Sequence, residues 1–201
     1  MCGRIDILPN KIGDAVKTGF GVKWEGKENR DLRPTQMVDT LQADFQGFTQ
    51  VCLQWGITPP WGRHLLINAQ AETVATKMTF RESFRSRRCV IPCSGWYEWK
   101  ILESCQKQKF RFHAPDESPL FMAAIWFSET DSTNQLVTLT TKPTQQCAQI
   151  HHRMPLLLLP SEVSTWLNGP LSKVEQLLKT PLFPLVLQPE DLAPAKQPFL
   201  F

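Results

Sequence analysis

No apolar run in this 201-residue chain approaches the roughly 18 residues that a membrane-crossing helix requires. Its opening, MCGRIDILPNKIGD, lacks the apolar core of a secretory signal. No glycine pattern of the P-loop or dinucleotide type is present, so no nucleotide cofactor is expected. Internal repeats and low-complexity segments are missing too, which argues against solenoids and disordered arrays. An excess of either charge is also lacking. The formal net charge is +3, too small by itself to specify a polyanionic partner. These absences leave a cytoplasmic protein (nucleoid-associated if bacterial) with one domain over 1–201 and no membrane or obligate protein partner.

What is present is an ordinary globular composition, 42% hydrophobic and 20% charged, with six cysteines. A chain of this size needs no disulfide staples, and the expected compartment is reducing. Cys89 and Cys93 stand four apart in CVIPC, but no second Cys/His pair lies at ligand spacing. Buried thiols are expected there, and no metal.

Sixteen prolines cut the chain into short elements. Apolar, β-prone runs predict strands over 50–57, 64–69, 88–100, 109–114, 119–127 and 135–141, and again over RMPLLLLP at 153–160. The stretch 88–100 reads as one buried strand with a Pro/Ser/Gly interruption. Residues 135–141 follow a polar turn, SETDSTN, as the hairpin partner of 119–127. Helical spacing marks 71–86, in one or two pieces. A short helix or loop covers 142–152. Another short helix starts at Ser161 as N-cap and stops at Gly169, and 171–179 forms an amphipathic turn. A proline-rich tail from about 181 is expected to wrap the surface. The sum is α+β: a mixed or antiparallel sheet, barrel-like, with short peripheral helices.

Several residues could carry chemistry. Cys2 follows the initiator Met1, and loss of Met1 would place an amine and a thiol on one residue. Glu98 lies among aromatics in GWYEWK; desolvation there would raise its pKa and suit it to acid–base work, whereas at the surface it would be an ordinary glutamate. In QIHHRMP, His151 and His152 precede Arg153. A histidine at a strand entrance can shuttle protons, or simply pack, and Arg153 could fork a carboxylate or phosphate. Asn68, closing an apolar strand, could orient a substrate or cap a turn. WGITPPWG sets Trp55 and Trp61 around a stiff turn, as stacking platforms for unpaired bases or as core. FRESFRSRRC gathers Arg81, Arg85, Arg87 and Arg88, a phosphate-neutralising cluster or a solvated helix face.

Taken in order, MCGR, WGITPPW, INAQAET, RRCVIPCSGWYEWK, FMAAIWF and IHHRMP resemble the SOS response-associated peptidase (SRAP) family over about residues 1–160. The resemblance implies an α+β fold with a groove for single-stranded DNA. It also implies covalent capture of abasic sites through Cys2 after Met1 is removed, with no cofactor. Matched position by position, Cys2 is the nucleophile. Asn68, Glu98 and His151 match the other active-site residues, and Arg4 and Arg153 match arginines near the DNA backbone. Two places depart from the pattern. Gln70 stands where an arginine is usual, and RDLRPT carries Arg30, Asp31 and Arg33 in place of Tyr, Asn and Ala. Arg33 is a candidate to bind the phosphate that the usual arginine at position 70 would hold.

Other readings remain open at this level. An N-terminal-nucleophile cysteine amidohydrolase would expose the same residue by the same maturation. A cysteine peptidase would pair Cys2 with His151. A non-enzymatic single-strand binder would use arginine and tryptophan and ignore Cys2.

Overall fold

The computed structural model describes residues 2–128, 133–180 and 182–190. The first elements come from a segment in which the patterns above predict none. Strand β1 (Ile5–Ile7) leads into helix α1 (Pro9–Phe20). Proline occupies its first turn, where its fixed φ costs nothing, and Ile12 and Val16 recur on one buried face. Gly21, at φ 71°, ends it in the left-handed conformation that glycine adopts without strain. Strands β2 (Asn29–Leu32), β3 (Met37–Asp44) and β4 (Gly47–Trp55) follow. Next come β5 (Asn68–Gln70), helix α2 (Arg81–Ser86), β6 (Arg88–Cys93), β7 (Gly95–Ile101) and β8 (Lys107–His113). The chain then runs through β9 (Leu120–Phe127), β10 (Gln135–Thr141), α3 (Gln145–Ala148), β11 (Met154–Pro155) and β12 (Leu157–Leu158). Helices α4 (Pro160–Asn168) and α5 (Leu171–Val174), a 3-10 turn at Glu175–Leu177 and β13 (Val186–Pro189) complete it.

Two sheets result. The smaller is antiparallel, in the order β13-β8-β7-β1-β2. The larger contains β10, β4, β3, β6 and β9, whose pairings close into a ring, with β5, β11 and β12 attached. It is mixed: β10 runs parallel to β4 and β5, and its remaining pairings are antiparallel. The α+β architecture follows the pattern of short strands and short helices read from the sequence.

The expected single strand over 88–100 is two strands, one in each sheet. β6 pairs with β3 and β9, whereas β7 pairs with β1 and β8. The change of sheet happens at Ser94-Gly95. A Cβ at Gly95 would stand 2.4 Å from the Phe112 carbonyl oxygen, so only glycine permits this approach of two backbones. Ser94 N–H is then free to donate to Asp6 O (2.8 Å) and tie the larger sheet's exit to β1.

Other expectations shift for local reasons. Residues 71–79 form turns, and only α2 is helical in that stretch. The 64–69 strand reduces to an isolated Ile57–Leu66 bridge and β5. RMPLLLLP is buried but divides into two two-residue strands, β11 and β12. Helix α4 is capped at Leu159, not Ser161: Pro160 takes the first helical position, and Glu162 accepts a bond from Leu159 N (2.9 Å). The 119–127 and 135–141 hairpin pairs as expected, though residues 129–132 of its turn lie outside the described residues. Part of the tail is structured, because Val186–Pro189 adds to the sheet edge at β8; Pro181 and 191–201 lie outside the described residues. Arg88, grouped above with Arg81, Arg85 and Arg87 as a phosphate-neutralising cluster or a solvated face, instead reaches inward. It donates to the carbonyls of Phe84, Arg85, Trp166, Leu167 and Gly169, the orphan acceptors at the ends of α2 and α4.

Candidate active site around Cys2

Strand pairing delivers the N-terminus to Glu98. Ile5 pairs with Trp96, and Tyr97 N–H donates to Arg4 O (3.0 Å). Continuing that antiparallel register brings Gly3 and Cys2 to the level of Glu98 and Trp99. Cys2 is fully buried. Burial, followed by the Glu98 and Cys93 charges, raises its thiol pKa well above the ordinary value, so the group sits there as a neutral thiol.

Glu98 is 3% exposed, in the interior half of β7. Burial is the main cause that pushes its carboxyl up to about 7. It therefore changes protonation near neutrality, as a group that both takes and returns a proton must.

His151 follows α3, held by His151 N–H donating to Cys147 O (3.0 Å). Its Nδ1 lies 3.9 Å from Glu98 Oε1. Nδ1 is also 3.1 Å from both the amide and the carbonyl of Arg153. The amide N–H is the fixed donor, so Nδ1 accepts and the neutral ring keeps its proton on Nε2. Burial lowers the pKa of the ring and favours that neutral form. His152 packs against it with ring centres 4.4 Å apart.

Asn68 opens β5, where parallel pairing sets it opposite Thr138. Its Nδ2 donates to Cys2 O (3.2 Å), and its Oδ1 accepts from the Thr138 hydroxyl. The second bond fixes which end of the amide faces Cys2. Thr138 is a site residue that the sequence reading missed; its signal was a hydroxyl between the apolar Val137 and Leu139 of QLVTLTT.

An open groove of about 750 Å³ reaches Glu98 and His151 and is lined also by Gly3, Arg4, Trp99 and Ile101 among others. The Arg4 guanidinium lies 5.6 Å from the centre of the Trp99 ring. The four candidate residues Cys2, Asn68, Glu98 and His151 therefore converge, and Arg4 joins them on the groove wall.

The expected DNA contacts divide. Trp61 is 73% exposed on the turn after β4, beside a small pocket with Pro59, Pro60 and Phe127. Trp55 is fully buried and donates its indole N–H to Ile67 O (3.0 Å), so it is core and offers no stacking face. Arg153 is engaged inside the protein: both prongs of its fork meet Glu72 at 2.8 Å, and Nη2 also donates to Thr140 O (2.6 Å). Arg33 is exposed and bonded to Asp31. Arg85 lies on α2, 3.6 Å from Glu82, and does not line the groove. Among the described residues, no three metal-ligating side chains cluster. Cys89 and Cys93 are buried, with thiol pKa values pushed up by burial. No helix of the described residues is long and apolar enough to cross a membrane.

Comparison with known proteins bears on this arrangement. A family model described as SOS response associated peptidase (SRAP) matches residues 1–190. The abasic site processing protein YoqW of Bacillus subtilis is 31% identical over 181 residues, covering 84% of this chain and 80% of that protein. YedK of Escherichia coli, also named an abasic site processing protein, is 35% identical over 125 residues, 60% of this chain and 56% of its own. A crystal structure of a protein from Bordetella bronchiseptica superposes with a TM-score of 0.81 at 21% identity, covering 95% of this chain and all of that one. That likeness is one of fold.

Proposed function

The chain belongs to the SOS response associated peptidase family, and from that premise we propose that it processes abasic sites in DNA by capturing them covalently on Cys2. The observation that carries this reading is the convergence of Cys2, Asn68, Glu98 and His151 beside a groove whose wall includes Glu98 and His151. Relatives named abasic site processing proteins support the substrate class.

The chemistry requires Met1 to be removed, because an amide nitrogen is not a nucleophile. The freed α-amine of Cys2 has a reference pKa of about 7.7–8.0, so part of it is neutral near pH 7. It attacks the carbon of the ring-opened sugar aldehyde, and loss of one water gives an imine. The Cys2 thiol then adds to the same carbon. A C–S bond forms, the C=N π bond becomes a C–N single bond, and the thiol proton ends on nitrogen. Sulfur, Cβ, Cα, nitrogen and the sugar carbon close a five-membered thiazolidine. An internal cysteine has no free amine and a lysine has no thiol, so neither could close this ring.

Glu98 carries the protons. Its acid form gives a proton to the departing hydroxyl as the imine forms and regains one from the amine, and its carboxylate form then relays the thiol proton to the nitrogen as the ring closes. The raised pKa keeps both forms populated near neutrality. His151, neutral with its proton on Nε2, donates to the sugar oxygen as the ring opens. Asn68 holds the Cys2 backbone so that amine and thiol face one carbon. Arg4 on the groove wall supplies positive charge for the backbone of a single strand, and Trp61 supplies an exposed ring.

The test is direct. Protein whose N-terminal Cys2 is verified by mass spectrometry is incubated with single-stranded DNA carrying one abasic site and run on a denaturing gel. A shifted, heat-stable band is expected, and Cys2→Ala abolishes it. Protein retaining Met1 is inert in the same assay. A heat-stable band from Cys2→Ala would falsify the thiazolidine.

A further inference from the structure

Next to Arg4 on the groove wall, one carboxylate holds two guanidiniums. Asp31 Oδ1 accepts from Arg4 Nη1, and Asp31 Oδ2 accepts from Arg33, with Nε at 2.9 Å and Nη2 close beside it. Each arginine takes a different oxygen, which is how two arginines grip a phosphate through its separate oxygens. All three side chains are partly open to water, at 29% for Arg4, 38% for Asp31 and 55% for Arg33. A ligand can therefore reach them. Arg4 also lies over Trp99 and lines the groove that ends at Glu98 and His151.

We propose that Arg4 and Arg33 form a latent phosphodiester site, which Asp31 occupies in the free protein and a DNA backbone phosphate takes over when a strand enters. This rests on the DNA-processing role proposed above and adds a determinant of affinity to it. The physical reason is charge. With Asp31 in place the cluster carries two cations against one anion, and an entering phosphate is repelled by the carboxylate it must displace. Replacing Asp31 by its uncharged isostere leaves both guanidiniums available. The local fold should not suffer, because the Asn29 side chain accepts from the backbone N–H of residue 31, which a substitution there keeps.

The experiment measures equilibrium binding of a fluorescent single strand without abasic sites, from low to moderate salt. The proteins are the full chain and its Asp31→Asn, Arg33→Ala and double variants. Asp31→Asn is expected to bind roughly two- to fivefold tighter, the span of a partly exposed charge interaction. Its plot of log K against log salt should steepen by about 0.7, the single-strand value for one added phosphate contact. Arg33→Ala should weaken binding, and in the double variant the gain from Asp31→Asn should disappear. Thermal melts of each variant confirm folding. Unchanged or weaker binding by Asp31→Asn overturns the proposal, as does a gain that survives Arg33→Ala or a failure of any variant to bind the strand. The strand offers no aldehyde, so the outcome is separate from the crosslinking gel. A parent chain that crosslinks while Asp31→Asn fails to tighten binding leaves the capture reading standing. Tighter binding by Asp31→Asn with no crosslink from the parent leaves only the phosphate site.

Discussion

Two buried carboxylates, on neighbouring strands of the smaller sheet, have opposite surroundings. Asp6 on β1 is fully buried and meets two guanidiniums: Arg111 Nε at 2.6 Å, and Arg30 through Nε at 3.0 Å and Nη2 at 3.2 Å. Arg111 is itself forked by Glu117, with both bonds at 2.9 Å, and its pKa is raised by that pair and by Asp6. Glu98 on β7 is equally interior, yet a described neighbour is His151, which burial holds neutral. Its carboxyl is pushed up to about 7. The same burial sets one carboxylate in an ion-pair network and makes the other, where desolvation dominates, a proton carrier. The first arrangement holds strands together. The second costs stability and supplies chemistry.

Substitutions at the two sites should therefore fail in opposite ways. The largest effect is expected from Asp6→Ala, which takes from the interior Arg111 one of its two carboxylate partners. Breaking a buried pair in this manner costs about 3–5 kcal/mol. Urea denaturation should show that loss, while the fraction still folded keeps its crosslinking rate. A drop in rate with stability intact would erase the contrast. Glu98→Gln should do the reverse, slowing crosslinking about 10²–10³-fold, within the usual span of acid–base contributions, with little loss of stability.

Glu98 also predicts a pH dependence whose sign is fixed. Its folded pKa of about 7 is above the ordinary carboxyl value. The folded state therefore holds a proton that the unfolded chain has released. The associated stability is fully present below the unfolded pKa and is lost as pH rises to about 7, by about 3 kcal/mol over that window. Unfolding free energies at pH 5 and pH 8 should differ by most of this loss in the parent protein. Glu98→Gln should remove the difference, and a slope that persists would assign it to another group.

The smallest expected effect separates the two tryptophans of WGITPPWG. Trp61→Ala should weaken single-strand binding by about 1 kcal/mol, the low end of base stacking, without moving the melting temperature. Trp55→Ala should cost about 3–5 kcal/mol of stability as a core cavity. Equal binding losses per folded molecule would return Trp55 to the DNA surface.

Much of the larger sheet was legible because its strands are apolar runs bounded by turns. β9, expected as a strand from its apolar run, has partners on both sides. The N-terminal region was less legible. β1 is only three residues long and β2 is polar, so neither carries a period. Helix α1 did leave a signal, a proline start and apolar residues at 12, 16 and 20 before a glycine. Trp55 and Trp61 illustrate a different limit. They are the same residue type, six positions apart, and only the packing of Trp55 against Ile67 tells them apart. Arg153 and Arg88 show it for charge, since their partners Glu72 and the carbonyls of α4 are about 80 residues away in sequence.

Residue chemistry, local by nature, was set by the sequence alone: a cysteine that can bear both amine and thiol, a carboxyl among aromatics, a histidine before a buried strand. Long-range placement was decided by the tertiary structure. Antiparallel pairing of β1 with β7 carries Cys2 to Glu98, parallel pairing of β5 with β10 turns Asn68 toward Cys2, and the surrounding core removes the water that would hold Glu98 at an ordinary pKa. A pKa depends on what surrounds a group in space, and strand register, not sequence proximity, determines those surroundings.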